Sequence, residues 1–158
     1  MPCRLVYMPD STHRQVDLRY ASQGHITSFS DAYPILLISQ ESLDDLNTRL
    51  PKPLPMNRFR PNLVCAGGEP YIEDQLTHFS IADIDFYGVK LSARCAMTGI
   101  DQDTAQTGVE PLKTLAGYRK RNNKIYFGQN LIYNGNGMIA TGDILAVHKK
   151  AEAQKFNV

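Results

Sequence analysis

A mainly β fold, an antiparallel barrel or strongly bent sheet with two principal peripheral α-helices, is predicted by three features of the sequence. The carboxyl-terminal third alternates short apolar runs (Ile125-Tyr126-Phe127, Leu131-Ile132-Tyr133, Met138-Ile139-Ala140, Ile144 to Val147) with turns at Asn134-Gly135-Asn136-Gly137 and Thr141-Gly142-Asp143. Closely spaced strands with Asn-Gly turns indicate antiparallel sheet. Two stretches, Gln40 to Leu50 and Pro111 to Arg121, carry apolar residues at helical spacing. The chain of 158 residues, with ordinary apolar and charged content, suffices for one globular domain with a real core.

Taken in order, Arg4 to Met8 reads as a first strand stopped by Pro9-Asp10, and Tyr20 to Ser30 is polar and turn-rich. Asp31 sits in the loop leading to the strand Ile35 to Ile38, and loops at strand ends commonly carry functional groups. Ser39 is a good N-cap for the first helix, whose apolar face is Leu43, Leu46 and Leu50, with Arg49 in the last turn. Pro51, Pro53 and Pro55 forbid its continuation and make a stiff connector to Asn57. Leu63 to Ala66 is a buried strand ended by Gly67-Gly68, and Phe79 to Leu91 holds one or two strands. Pro111 suits a first helical position, followed by Leu112, Leu115 and Tyr118. Residues 1–148 are expected to form the domain and residues 149–158 a flexible tail.

Composition excludes several classes. A formal net charge of +1 gives no reason to expect nucleic acid or a membrane surface as partner. Cys3, Cys65 and Cys95 are odd in number and widely spaced, against a disulfide framework or a structural zinc site. No apolar run has signal-peptide or membrane-span length, and the reading is a reduced, cytoplasmic protein.

The glycines around Asn136 are hairpin glycines, wrongly spaced for a dinucleotide loop. Arg119-Lys120-Arg121 with Lys124 reads as a solvated cluster at a helix end. His13, His25, His78 and His148 stand apart from one another and from carboxylates at metal-ligand spacing, so surface or packing roles are expected. Cys65, in an apolar strand, is read as core. Cys95 follows Lys90 and Arg94, and cationic neighbours favour a thiolate; a reactive and a structural thiol weigh equally there. If strand geometry continues, Cys95 shares a face with Ala93 and Leu91 while Arg94 points away. Arg60 and Asn62 flank a stiffening Pro61; Arg60 either forks onto a phosphate or pairs with Asp31, Glu69 or Glu73.

Ser39-Gln40-Glu41-Ser42-Leu43-Asp44-Asp45-Leu46-Asn47, Asn57 to Asn62, Arg94-Cys95 with Thr98, Asp101-x-Asp103-Thr104, Glu110-Pro111-Leu112-x-Thr114-Leu115-x-x-Tyr118-Arg119 and Phe127-Gly128-Gln129-Asn130 occur in that order. Together they resemble the MOSC domain, the carboxyl-terminal domain of molybdenum cofactor sulfurase, in its amidoxime-reducing-component type. The resemblance implies a β-barrel-like fold of the pyruvate-kinase-barrel kind and a molybdenum cofactor (Mo-molybdopterin). It implies that Cys95 ligates molybdenum and is catalytic, with Asp31, Arg60, Asn62, Ala93, Arg94, Gln129 and Asn130 around the pterin and its phosphate. Ser92-Ala93 departs from the family, which usually has a cysteine or small polar pair there. Many relatives also carry an amino-terminal β-barrel domain that adds basic cofactor contacts, and the chain is expected either to stand alone or to lack such a domain.

Two functions follow from the resemblance. One is an oxidoreductase that removes oxygen from N-hydroxylated or similar small substrates, fed by a separate electron-donor redox protein because no flavin, haem or iron–sulfur motif is visible. The other is a sulfur-carrier module in which Cys95 receives sulfur as a persulfide from a pyridoxal-phosphate-dependent cysteine desulfurase.

Overall fold

Ile35–Ser39 forms the strand β1, and its last residue starts the helix α1, Gln40–Arg49. Ser39 Oγ accepts from the Ser42 amide at 3.0 Å, satisfying one of the orphan donors of the first turn. The structure, a computed structural model, describes residues 2–30 and 32–156. After the proline connector and a 3-10 turn at Met56–Arg58 come β2 (Leu63–Cys65), β3 (Leu76–Ile81) and β4 (Ile84–Ala93). The short helix α2 (Leu112–Ala116) precedes β5 (Lys120–Arg121), β6 (Lys124–Asn134) and β7 (Leu145–Lys150).

Among the described residues these strands make one sheet in the order β2-β1-β6-β4-β3-β7, with β5 hairpinned onto β6, curled into a half-barrel. The mainly β class with two helices holds. Every pairing is antiparallel except β1 with β2, which are joined through α1 and run parallel. Side chains alternate across each strand, so β1 feeds two cores. Leu37 packs with Leu76, Phe79, Phe86 and Leu131, while Ile38 packs with Leu43 and Leu46 of α1, Phe59, Leu115 and Phe127.

Several expectations are corrected. Residues Arg4 to Met8 form no strand: Leu5 is fully exposed and the segment meets no sheet edge, so its β propensity has nothing to pair with. Ile125 to Phe127 and Leu131 to Tyr133 are not two strands but the two ends of β6, which continues through a bulge at Gly128, φ +87°. Met138 to Ala140 is not a strand, and Met138 is exposed. The second helix is half the expected length, because Asn122 and Asn123, both at positive φ, turn the chain into the β5–β6 hairpin. β7 runs to Lys150, past the boundary expected at 148, and Phe156 packs over the Arg119 guanidinium at 4.1 Å.

Arg119 is the largest departure from the solvated reading of the basic cluster. It is buried and pairs with buried Asp74 at 2.6 Å, with its guanidinium also 4.3 Å from the centre of the Tyr71 ring. Next to it, Glu73 is fully buried beneath α1 and accepts from Ser42 Oγ at 2.8 Å, with its other oxygen unbonded among the described residues. Burial, followed by the charge of Asp74, raises the Glu73 carboxyl from its ordinary 4.5 to about 7.

The folded state therefore holds this proton more tightly than the unfolded chain does. Its contribution is complete below about 4.5 and is lost as pH rises through about 7, with a slope of up to about 1.4 kcal/mol per pH unit. Glu73→Gln, which cannot ionise, is expected to gain on the wild type between pH 5 and pH 7.5 in urea melts. A constant difference between the two proteins across that range would contradict the buried-acid account.

Candidate functional site

The proline connector delivers the chain to a loop whose backbone is tied down on both sides. Pro55 precedes the 3-10 turn, Phe59 and Arg60 close it through amides bonded to the Met56 and Asn57 carbonyls, and Arg60 adopts φ +55°. Asn62 then grips β1 twice: its amide donates to the Leu36 carbonyl and its side-chain oxygen accepts from the Leu36 amide, both at 2.9 Å. Phe59 is fully buried against Phe127, ring centres 4.4 Å apart, which anchors the loop from below.

The end of β4 faces this loop. Arg94 donates to the Phe59 carbonyl at 2.7 Å and to Ser92 Oγ at 3.1 Å, so it braces the loop that carries Arg60. Ser92 is buried and supplies that acceptor. β4 stops at Ala93, so strand geometry does not reach Cys95, and the side chains of both Arg94 and Cys95 border the same cleft. The Cys95 carbonyl accepts from the Thr98 amide and hydroxyl, starting a 3-10 turn at Ala96–Gly99, while its thiol is left exposed.

Loop and strand end enclose a cleft of about 590 Å³. Its walls include Arg58, Arg60, Asn62, Lys90, Ala93, Arg94, Cys95, Thr98, Lys124, Tyr126 and Asn130. Five of the lining side chains are cationic and, among the described residues, none is a carboxylate. A larger hollow of about 770 Å³ beside Gln23 and Asn134 holds no Lys, Arg, Asp or Glu, so chemistry rather than size selects the first.

The cations differ in freedom. Arg58 is nearly buried and pairs with Asp101 at 3.1 Å; Asp101 Oδ1 in turn accepts from Thr104 and Asp103, and the Thr104 amide first holds its carboxyl below the usual range. Lys90 lies over the Tyr20 ring at 4.4 Å. Arg60 is exposed and, among the described residues, its side chain makes neither a hydrogen bond nor an ion pair. The alternative pairings with Glu69 and Glu73 are not made, since Glu73 is buried against Ser42. Asp31 lies outside the described residues.

Arg60, Asn62, Ala93, Arg94, Cys95 and Asn130 thus meet in one cleft. Gln129 does not join them: it is buried on the other face of β6, its amide packed against Gly88. Sequence reasoning took Lys90 as a cationic neighbour of Cys95 but did not name Arg58, Lys124 or Tyr126 as wall residues. Arg58 had a signal, two residues before Arg60 in the same motif with an acidic turn, Asp101-x-Asp103-Thr104, to hold it; Lys124 and Tyr126 enter only because β6 lies beside β4. Cys65 is half-buried, its thiol pushed up to about 12 by burial and then by Glu73 and Glu41, and it stays protonated.

Residues 24–146 match the family model of the MOSC domain. The chain belongs to the MOSC domain family. It is 36% identical over 156 residues to human mitochondrial amidoxime-reducing component 1, covering 90% of this chain and 46% of that protein. It is also 36% identical over 149 residues to molybdenum cofactor sulfurase of Oryza sativa subsp. japonica, covering 84% of this chain and 18% of that one. Against rat mitochondrial amidoxime reducing component 2 the identity is 42% over 105 residues, 63% of this chain and 31% of that protein. The MOSC chain thus spans less than half the length of each of these relatives. Among the described residues no helix is long and apolar enough to cross a membrane.

Proposed function

We propose that this MOSC domain binds the molybdenum cofactor in the Cys95 cleft and is the cofactor-holding part of an oxidoreductase that reduces N-hydroxylated or similar small substrates. The observation that carries this reading is a cationic cleft, free of described carboxylates, with an exposed cysteine on its wall. The residues fit the group: a pterin phosphate needs cations and amide donors, and molybdenum held among sulfurs suits a soft thiolate. When bound, the cofactor supplies the redox centre that accepts oxygen from the substrate.

The protein's part is to hold and orient. Arg60 offers a planar fork to the phosphate with no competing partner among the described residues. Arg94 acts chiefly by bracing the Arg60 loop, Asn62 by pinning it to β1, and Ala93 by leaving room beside the sulfur. Asn130 offers an amide at the cleft wall. Gln129 contributes from behind, through the packing of β6. Electrons come from a separate redox protein. Cys65 and Cys95, neither in a disulfide, fit a reducing compartment such as the cytoplasm.

A second reading is favoured by the exposure of Cys95 together with the equal identity to the sulfurase. In it Cys95 carries sulfur as a persulfide delivered by a pyridoxal-phosphate-dependent desulfurase. Metal analysis of protein made in a cofactor-competent host separates the two. Stoichiometric molybdenum supports the oxidoreductase, whereas sulfane sulfur on Cys95 without metal supports the carrier.

Arg60→Lys tests the grip on the phosphate. The charge is kept but the two parallel hydrogen bonds are not, and a charge-assisted bond contributes about 1.5–3 kcal/mol, so pterin retention should fall roughly tenfold or more. Pterin is counted per protein after gel filtration, and wild-type occupancy in the lysine variant would remove Arg60 from the site.

A further inference from the structure

Toward the β7 edge of the sheet, three strands bring together side chains that the sequence keeps apart. His78 of β3, Asp85 of β4 and His148 of β7 each present a metal-ligating atom, and these atoms all lie within 4.8 Å of one another. His78 Nε2 is 2.8 Å from Asp85 Oδ1, and His148 Nε2 is 2.8 Å from Ser80 Oγ. The two imidazole rings tilt against each other with centroids 4.8 Å apart. This overturns the expectation that the histidines stand apart from one another and from carboxylates, because β3 pairs with both β4 and β7.

We propose that His78, Asp85 and His148 bind a divalent transition-metal ion of the zinc class, with solvent completing its shell. Two imidazoles and one carboxylate form a nitrogen-rich donor set that favours such ions over magnesium or calcium, which prefer all-oxygen shells. Bonds of about 2.0–2.2 Å in a tetrahedral site place donor atoms about 3.3–3.6 Å apart, and the present spread closes onto that by rotation of side chains, chiefly exposed His148, rather than by backbone movement.

The site is held on its inner side. The His78 ring stacks on Tyr87 at 4.7 Å with planes 8° apart, which fixes the ring's plane beside Asp85. His148 is exposed and is the ligand that has to swing, exchanging the Ser80 hydroxyl for the metal. Ligands from β3, β4 and β7 would join the last strand to the centre of the ladder, so the ion acts as a clamp on β7, the strand at this edge of the sheet.

The test uses the tag-free chain after chelator treatment, titrated with Co²⁺ for spectroscopy and Zn²⁺ for calorimetry and melting. Wild type is expected to show Co²⁺ ligand-field bands without thiolate charge transfer, and a higher melting temperature in Zn²⁺. Asp85→Asn keeps the shape of a half-exposed side chain and His148→Ala removes an exposed one, so metal-free melting should match the wild type, and each is expected to weaken binding at least tenfold and to abolish the melting shift. Thiolate charge transfer would place the ion at a cysteine and overturn the proposal. So would wild-type affinity in His148→Ala, or no Zn²⁺ heat and no melting shift in the wild type, which would leave the cluster as two pairs of hydrogen-bonded side chains.

Discussion

Reduction of an N-hydroxylated substrate, assayed with its electron donor, is expected to fall by more than about 100-fold when Cys95 is replaced by serine. Outer-shell partners of metal ligands typically matter 10- to 100-fold, and a direct ligand should exceed that. The substitution exchanges a soft, ionisable thiol for a hard hydroxyl that stays protonated near neutral pH. It leaves the fold alone, because Cys95 holds the Ala96–Gly99 turn through its carbonyl and not its sulfur. Pterin gripped by Arg60 should partly remain, so pterin per protein falls less than molybdenum per protein.

Cys65→Ser is the matched control. That thiol is half-buried at the end of β2 and held protonated by burial beside Glu73, so turnover per bound molybdenum should stay close to the wild type. Full turnover in Cys95→Ser, or loss of pterin in Cys65→Ser with wild-type retention in Arg60→Lys, would move the site out of this cleft.

How far such a site could be read from residues alone depended on whether the signal was local. The Ser39 cap and the Leu43, Leu46, Leu50 face lie within one helix, and α1 appears as expected, one residue shorter. Arg94-Cys95 and Arg60-Pro61-Asn62 are also local pairs, and they face each other because β4 ends where the loop after Phe59 is pinned. What could not be read was pairing. Gly128 looks like a strand end until β4 is laid beside it, when it becomes a bulge: a Cβ there would sit 2.9 Å from the Leu37 carbonyl oxygen. Arg119 looks solvated within a run of three cations until Asp74, from a distant 3-10 turn, is brought under it. Lys124 comes to the wall that Lys90 also lines only because β6 lies beside β4. The His78, Asp85 and His148 cluster is the same lesson toward the β7 edge of the sheet.

Arg119→Ala is expected to cost about 3–5 kcal/mol of folding stability, the range for removing one partner of a buried ion pair. The guanidinium bonds Asp74 at 2.6 Å, donates from Nε to the Tyr126 carbonyl at 3.1 Å, and is sandwiched between the Tyr71 and Phe156 rings. Burial already raises the Asp74 carboxyl above its ordinary value, with Arg119 only partly offsetting it, so without the cation this acid would be protonated or would open the core. Much of the loss is thus an uncompensated charge rather than the worth of the pair. Asp74→Asn placed on top of Arg119→Ala should therefore recover part of the stability, a coupling read from urea midpoints of the two single variants and the double. A loss below about 1 kcal/mol in the single variant, the scale of an exposed pair, would show that the contact is solvated after all. The consequence reaches the cleft, because the carbonyl that Arg119 holds belongs to Tyr126, whose side chain lines the wall beside Lys124. With the clamp gone, the cofactor-holding face should loosen before the Cys95 loop itself is disturbed, and pterin retention should fall in Arg119→Ala even at temperatures where the chain remains folded.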